Sequence, residues 1–167
     1  MNGKFTTYSG IEFSPEFLQI ENVDIKDIAH ALSRICRFNG HIKEFYSVAQ
    51  HCIQVSNTLK DLGCNKKIQL CGLLHDAAEA YLGDLPTPIK KTLNDYVLLE
   101  TQYRNTIFKR FNLFNSWNKL HLEIKDIDDE VLNKEWEFLN GDCKNNAFFD
   151  FNKIEEDYLN LYFLLCT

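Results

Sequence analysis

The chain has 167 residues, of which 45% are hydrophobic and 25% charged, and its formal net charge is −6. This size and composition are typical of one globular domain with a single core. The acidic balance and the lack of a basic run exclude an electrostatic surface for duplex nucleic acid. The N-terminus lacks a signal-peptide pattern and no apolar run reaches about 18 residues, so we expect a cytoplasmic protein with no membrane partner.

Six cysteines are scattered along the chain without a C-x-x-C pair, which argues against a zinc ribbon or a redox motif. They are Cys36, Cys52, Cys64, Cys71, Cys143 and Cys166. In a chain large enough to form its own core, we expect them to be small buried apolar side chains and not disulfides.

The N-terminal elements are predicted to be a hairpin and a helix. Residues 4–13 place β-prone side chains on both sides of Ser9-Gly10, which indicates a short hairpin added to the main body. Asp24 can cap a helix whose apolar residues recur at helical spacing up to about Phe38. Asn39-Gly40 should end that helix.

The next two helices are the most clearly marked. Ser47 and Gln50 form a capping-box pattern that opens a helix to about Leu62, with His51 in its first turn. Asn65 can cap a third helix through Tyr81, and its nearly continuous apolar surface predicts a central position.

Three more segments complete the predicted fold. Gly83 and the prolines at 86 and 88 predict a constrained loop, followed by helices over about Leu93–Phe111, from near Ser116 through Trp136, and over about Asn152–Leu165. We therefore expect an all-α, single-domain bundle of about six helices over residues 1–167. Its parts are a hairpin extension at 1–23, the helices that carry the candidate chemistry at 24–140, and a C-terminal helix at 141–167.

The third helix carries an unusual polar group. His75, Asp76 and Glu79 lie within four residues of one another on a segment that is otherwise apolar. Burying these groups without partners would cost several kcal/mol. A divalent cation among them would remove that cost.

Further ligands could come from neighbouring helices. His51 opens a helix that a short turn would fold against the third one. An additional acid could come from the cluster Asp126, Asp128 and Asp129, although these three could also only complement a helix dipole. Such nitrogen and oxygen donors suit zinc, manganese, iron or cobalt, and a metal of this kind activates water for attack. Glu79 and Asp84 would remain for proton transfer.

The order His51, His75-Asp76 and a distal Asp resembles the H…HD…D signature of the HD-domain phosphohydrolases. The sixteen-residue run from His75 to Lys90 is similar to the bacterial 5'-deoxynucleotidases and to phage relatives that include deoxynucleoside triphosphohydrolases. The resemblance extends from about Ala29 to Glu135 and implies an HD-type helical bundle.

This resemblance implies a role for each matching residue. The implied metal ligands are His51, His75, Asp76 and Asp128, where Asp128 is preferred because residues 125–128, with Glu135 seven positions later, are similar to the family's final motif. Glu79 corresponds to the catalytic residue that orients or deprotonates water, and Asp84 to its partner near the phosphate. Asp84 could equally fix the loop before the prolines. A Mg²⁺ ion that enters with the substrate is a second candidate cofactor.

The substrate contacts are expected from the segment after the first helix. Arg34, Arg37 and Phe38 resemble the family's Arg-Trp pair, and Arg37 is the better phosphate ligand because a guanidinium binds two oxygens at once. Phe38 replaces the family's Trp, which puts the sugar and base preference in question. His41 and Lys90 are further candidates, whereas His30 and His121 are expected to be structural.

Three functions stay open at this point. The first is a 5'-deoxynucleotidase acting on deoxynucleoside monophosphates, favoured because few basic residues lie near the motifs. The others are release of triphosphate from a deoxynucleoside triphosphate and a non-catalytic, metal-containing module that binds nucleotides. Related enzymes form oligomers, so a homo-oligomer is expected.

Overall fold

The described part of the protein is mostly helical. The structure, a computed structural model, describes residues 3–141 and 150–167. These ranges contain eight α-helices: α1 (Ile25–Arg34), α2 (Val48–Asp61), α3 (Lys66–Leu73), α4 (Glu79–Leu82), α5 (Thr87–Lys90), α6 (Asn94–Arg110), α7 (Phe114–Asn140) and α8 (Phe151–Cys166). The predicted all-α class is confirmed. The prediction of about six helices was too low, because the third predicted helix is split and the proline run forms a helix of its own.

The predicted hairpin is present and is anchored on α1. Strands β1 (Phe5–Thr6) and β2 (Glu12–Phe13) pair antiparallel. Between them, the backbone N–H and the hydroxyl of Ser9 both donate to the carboxylate of Asp27, each at 2.7 Å. The Tyr8 ring also stacks on His30 at 3.5 Å. The hairpin is therefore joined to the helical body by polar and aromatic contacts.

Helix α1 is shorter than predicted. Its N-cap is Asp24, as expected, but it ends at Arg34 and not near Phe38. The backbone beyond it is extended, and its Cys36 forms an antiparallel bridge with Ser47. A short 3₁₀ helix follows at Arg37–Gly40. Pairing with the segment that precedes α2 thus ends α1 and fixes the backbone at residues 36 and 37.

Helices α2 and α3 pack closely against each other. The predicted capping box at Ser47 and Gln50 is present. Gly63, with a φ of 78°, lies in the turn that follows α2. A Cβ atom at Gly72 would collide with the side chain of Leu59. The missing side chain at Gly72 therefore allows the close approach of the two helices.

The predicted continuous helix from Asn65 to Tyr81 is wrong, because α3 ends at Leu73 and residues 74–78 form turns. Side chains donate hydrogen bonds to the backbone carbonyls that the N–H groups of the next helical turn would otherwise bind. Nδ1 of His75 lies 2.7 Å from the carbonyl of Gly72, and the Tyr158 hydroxyl donates to that of Leu73 at 2.8 Å. The helix therefore ends at the His75-Asp76 pair.

The remaining helices follow the prediction with small differences. The proline loop contains the single turn α5, which was not predicted, and α7 begins at Phe114, two residues before Ser116. Helix α8 is capped by Asp150 and packs on α1 and α3, with Tyr158 fully buried. Residues 142–149, including Cys143 and part of the predicted segment 141–167, lie outside the described residues.

The cysteines only partly match the expectation. Cys52 and Cys71 are buried, as predicted, but Cys166 is exposed on the last turn of α8. The five cysteines in the described ranges are free thiols. None of the helices in these ranges has both the length and the apolar composition that crossing a bilayer requires.

Candidate metal centre and its cavity

Two histidines from different helices meet in the interior of the bundle. His51, in the first turn of α2, is fully buried, and His75 lies in the turn after α3. Their Nε2 atoms are 3.3 Å apart. Oδ2 of Asp76 lies 3.2 Å from Nε2 of His75, and one donor atom from each of the three residues falls within 4.8 Å of the others. The three side chains could together hold a metal ion.

The fourth predicted ligand also reaches this cluster. Oδ1 of Asp128, on α7, lies 2.9 Å from Nε2 of His51 and 3.5 Å from Nε2 of His75. Asp128 is buried, whereas Asp126 and Asp129 are exposed on the same helix. The position of Asp128 therefore distinguishes it from the other two acids.

Hydrogen bonds on the far side of each imidazole determine which ring nitrogen is free. Nδ1 of His51 lies 3.0 Å from both carboxylate oxygens of Glu135 on α7. An ionised carboxylate and a carbonyl only accept, so Nδ1 must donate in His51 and also in His75, where it faces the Gly72 carbonyl. Both neutral rings then present an Nε2 lone pair to the cluster.

The electrostatics of the cluster favour a positive charge. Burial alone would lower the pKa of His75, but Asp76 and Asp128 outweigh it and hold that pKa well above its ordinary value. Burial alone would raise the pKa values of Asp76 and Asp128. The neighbouring His75 outweighs burial, so both pKa values are lowered. Two facing lone pairs and two carboxylates thus favour a bound cation, either a proton or a metal.

A cavity of about 230 Å³ adjoins the cluster. Its walls come from the 3₁₀ helix after α1, the turn after α3, the loop that contains α5, and α7. The lining residues are Arg37, Phe38, Asp76, Glu79, Asp84, Leu85, Pro86, Thr87, Pro88, Lys90, Lys125, Asp128 and Leu132.

Both predicted catalytic acids line this cavity. Glu79 is only 3% exposed, and its Oε2 has no hydrogen-bond partner among the described residues. Burial, reinforced by the charges of Asp76 and Asp84, raises the pKa of Glu79 well above its ordinary value. Burial also raises the pKa of Asp84. Each of these carboxyl groups therefore holds a proton more readily than one in water.

Arg37 connects the cavity to the cluster. Its Nη1 lies 3.5 Å from Oδ2 of Asp76, and its Nη2 lies 3.5 Å from Oε2 of Glu135. These contacts are long, and Nε has no partner among the described residues. The guanidinium therefore keeps donor capacity for an anion that enters the cavity.

Two predicted substrate residues do not line the cavity. Nη1 of Arg34 pairs with Glu155 on α8 at 2.7 Å, and His41 is exposed outside the cavity lining. Lys90 does line it, but its Nζ donates to Glu100 at 2.6 Å, so its charge is already matched by an acid.

The two histidines expected to be structural also lie away from the cavity lining. Nδ1 of His30 is 3.0 Å from Glu155, between α1 and α8. The ring of His121 is 6.0 Å from that of Trp117.

Two residues of this site had no role predicted from the sequence. Glu135 orients His51, and Nζ of Lys125 pairs with Oδ2 of Asp128 at 2.7 Å. Both could have been found from helical spacing, because residues three and seven positions from Asp128 share its face of α7.

The fold and the site define an all-helical protein with a buried histidine and aspartate cluster open to a polar cavity. The sequence matches no family model. It is 38% identical over 107 residues to YfdR, an uncharacterised protein of Escherichia coli K12, covering 64% of this chain and 57% of that protein. It is 36% identical over 97 residues to an uncharacterised protein of Rhodobacter capsulatus, covering 55% of this chain and 50% of that protein. The matches therefore span about half the length of these relatives.

Proposed function

We propose that the protein is an HD-type, metal-dependent phosphohydrolase that converts deoxynucleoside 5'-monophosphates to deoxynucleosides and phosphate. The observation that carries this proposal is a pair of buried imidazoles whose Nδ1 atoms face the acceptors Glu135 and Gly72, while both Nε2 atoms face Asp76 and Asp128 beside a cavity. His51, His75, Asp76 and Asp128 would hold the ion. When bound, a divalent transition metal supplies Lewis-acid activation of water and of the phosphate.

The residues around the cavity suit phosphate-ester hydrolysis. Arg37 can donate two parallel hydrogen bonds to phosphate oxygens. Glu79, whose pKa is raised by burial, can take a proton from water and pass it to the leaving oxygen. Asp84 lies in the same lining and can accept a hydrogen bond from the substrate or share that proton.

The charges of the cavity favour a monophosphate over a triphosphate. Its lining contains the cations Arg37, Lys90 and Lys125 and four acids, Asp76, Glu79, Asp84 and Asp128. Each of the three cations has a carboxylate within 3.5 Å. A triphosphate would need additional unpaired cations, because its charge is larger.

A panel of substrates tests this proposal. The metal-reconstituted protein should release phosphate from deoxynucleoside monophosphates faster than from ribonucleoside monophosphates, and it should release no triphosphate from deoxynucleoside triphosphates. Triphosphate release would support the phage-like alternative. Binding of nucleotide without turnover, with metal present, would support a non-catalytic module and contradict the enzyme proposal.

A homo-oligomer remains part of the proposal. Light scattering coupled to size-exclusion chromatography tests it directly, and a mass of 19.6 kDa for the species in solution would contradict it.

A further inference from the structure

One face of α7 extends from the metal cluster beyond the end of the cavity lining. Lys125 and Leu132 line the cavity. Trp136 follows Leu132 by four residues, a spacing that places both on the same face of a helix. Trp136 therefore continues the wall of the cavity outward by one turn.

Trp136 meets Phe38 at this point. Phe38 lines the cavity, and the two ring centroids are 5.2 Å apart at an angle of 57°. Trp136 is 49% exposed, so a large part of its indole is open to solvent. We call Phe38 and Trp136 the aromatic rim.

The backbone at Phe38 is held in an unusual conformation. Its φ of 56° and ψ of 26° lie in the left-handed region, which bulky residues rarely adopt. With this backbone, the adjacent residues Arg37 and Phe38 both line the cavity. Strain of this kind concentrates at ligand sites, where surrounding contacts maintain it.

We propose that the aromatic rim binds the base of the nucleotide by stacking, an inference that rests on the proposed function. With the phosphate at the metal cluster beside Asp128, where Nη1 of Arg37 reaches Asp76, the sugar would lie along Leu132 and the base would reach Trp136. The eight residue steps from Asp128 to Trp136 extend about 12 Å along the helix, comparable with an extended nucleoside monophosphate. Because every base has a π face, stacking at this rim tolerates different bases.

Tryptophan fluorescence tests the inference without changing the rim. The chain has two tryptophans, and Trp117 packs on Phe108 with ring centroids 4.6 Å apart, outside the cavity lining. In Trp117→Phe, emission comes from Trp136, and dAMP should quench it, whereas 2-deoxyribose 5-phosphate should not. In the matched control Trp136→Phe, emission from Trp117 should not respond to either compound.

Kinetics give a second readout. Trp136→Ala should raise KM for dAMP about tenfold, from the loss of one stacked base, with little change in kcat. KM for 2-deoxyribose 5-phosphate should stay the same, and Trp136→Phe should retain most of the affinity for dAMP. Thermal midpoints of the variants would show that each one is folded.

The possible failures can be told apart. If the wild-type protein neither binds nor hydrolyses any nucleotide, the proposed function and this inference both fall. If dAMP is hydrolysed, but Trp136 emission is unchanged and Trp136→Ala has the kinetics of the wild type, only the aromatic rim is overturned.

Discussion

At the scale of single residues, Glu135 determines how His51 can be used. Its carboxylate accepts from Nδ1 of His51 and also lies near the guanidinium of Arg37. It thus contacts both a candidate metal ligand and the candidate phosphate ligand. A carboxylate behind an imidazole orients the ring and makes it a stronger ligand.

Glu135→Ala should therefore weaken metal binding about 10- to 100-fold, because His51 loses the acceptor that orients its ring. Competition with a chelator of known affinity would measure this change. Glu137→Ala is the matched control, since Glu137 is an exposed glutamate on the same helix. Equal metal affinity in both variants would show that Glu135 does not orient the site.

Asp76→Asn and Glu79→Gln should separate metal binding from turnover. The Asp76 variant loses a carboxylate that faces the histidines, so metal content and activity should fall together. Glu79 faces the cavity, so Glu79→Gln should keep the metal and lower kcat by about 100-fold or more. Metal content by elemental analysis, measured beside kcat, tests both. Full activity in either variant would contradict its assigned role.

Packing should tolerate the Glu79 substitution. Burial raises the pKa of Glu79 and so favours its protonated form, which has the shape of a glutamine side chain. Glu79→Gln should therefore unfold at a urea midpoint equal to or above that of the wild type at neutral pH. A clear loss of stability would show that the ionised carboxylate contributes to the fold.

At the scale of secondary structure, local signals predicted where helices begin. Asp24, Ser47 and Asn65 all cap the helices expected of them, because a capping side chain binds backbone only two or three residues away. The ends of α1 and α3 were wrong. The end of α1 depends on the backbone carbonyl of Tyr46, which accepts from the N–H of Arg37, and the end of α3 depends on the hydroxyl of Tyr158. Both partners come from later segments and become adjacent only in the folded chain.

Tyr158→Phe tests the side-chain contact that ends α3. The change leaves the buried carbonyl of Leu73 without its donor, so the free energy of unfolding should fall by about 1–3 kcal/mol. Urea denaturation measures it. Tyr8→Phe is the control, because Tyr8 is 70% exposed, and its effect should stay within about 0.5 kcal/mol. Equal stability of the two variants would mean that the Tyr158 hydroxyl is unimportant.

At the scale of the whole molecule, the sequence predicted which residues converge but not how they are oriented. His75, Asp76 and Glu79 on one apolar segment indicated that a cation binds among them. The fold brings His51 and Asp128 to the same segment. Asn39-Gly40 marked a break in the helix, but nothing local indicated the backbone that directs Phe38 toward Trp136. Its conformation depends on pairing between residues 35–37 and 46–48.

Thiol labelling tests whether the protein interior is closed to reagents in solution. Burial raises the pKa of both Cys52 and Cys71 to about 11, so few thiolates form at neutral pH. Cys166, which is exposed, should be alkylated first, and Cys52 and Cys71 should react only when the protein unfolds. Peptide mapping after timed iodoacetamide treatment, with a urea-denatured control, measures the order. Rapid labelling of Cys52 in the native protein would show that the interior opens readily.

The bond from Tyr158 to the carbonyl of Leu73 also has a consequence for biosynthesis. The turn that contains His75 and Asp76 is held by a hydrogen bond donated from Tyr158 on α8. The ribosome synthesises α8 after all four candidate metal ligands. A nascent chain released before residue 151 would contain all four ligands but lack that donor. Such a fragment should therefore capture metal more poorly than a chain in which α8 has docked.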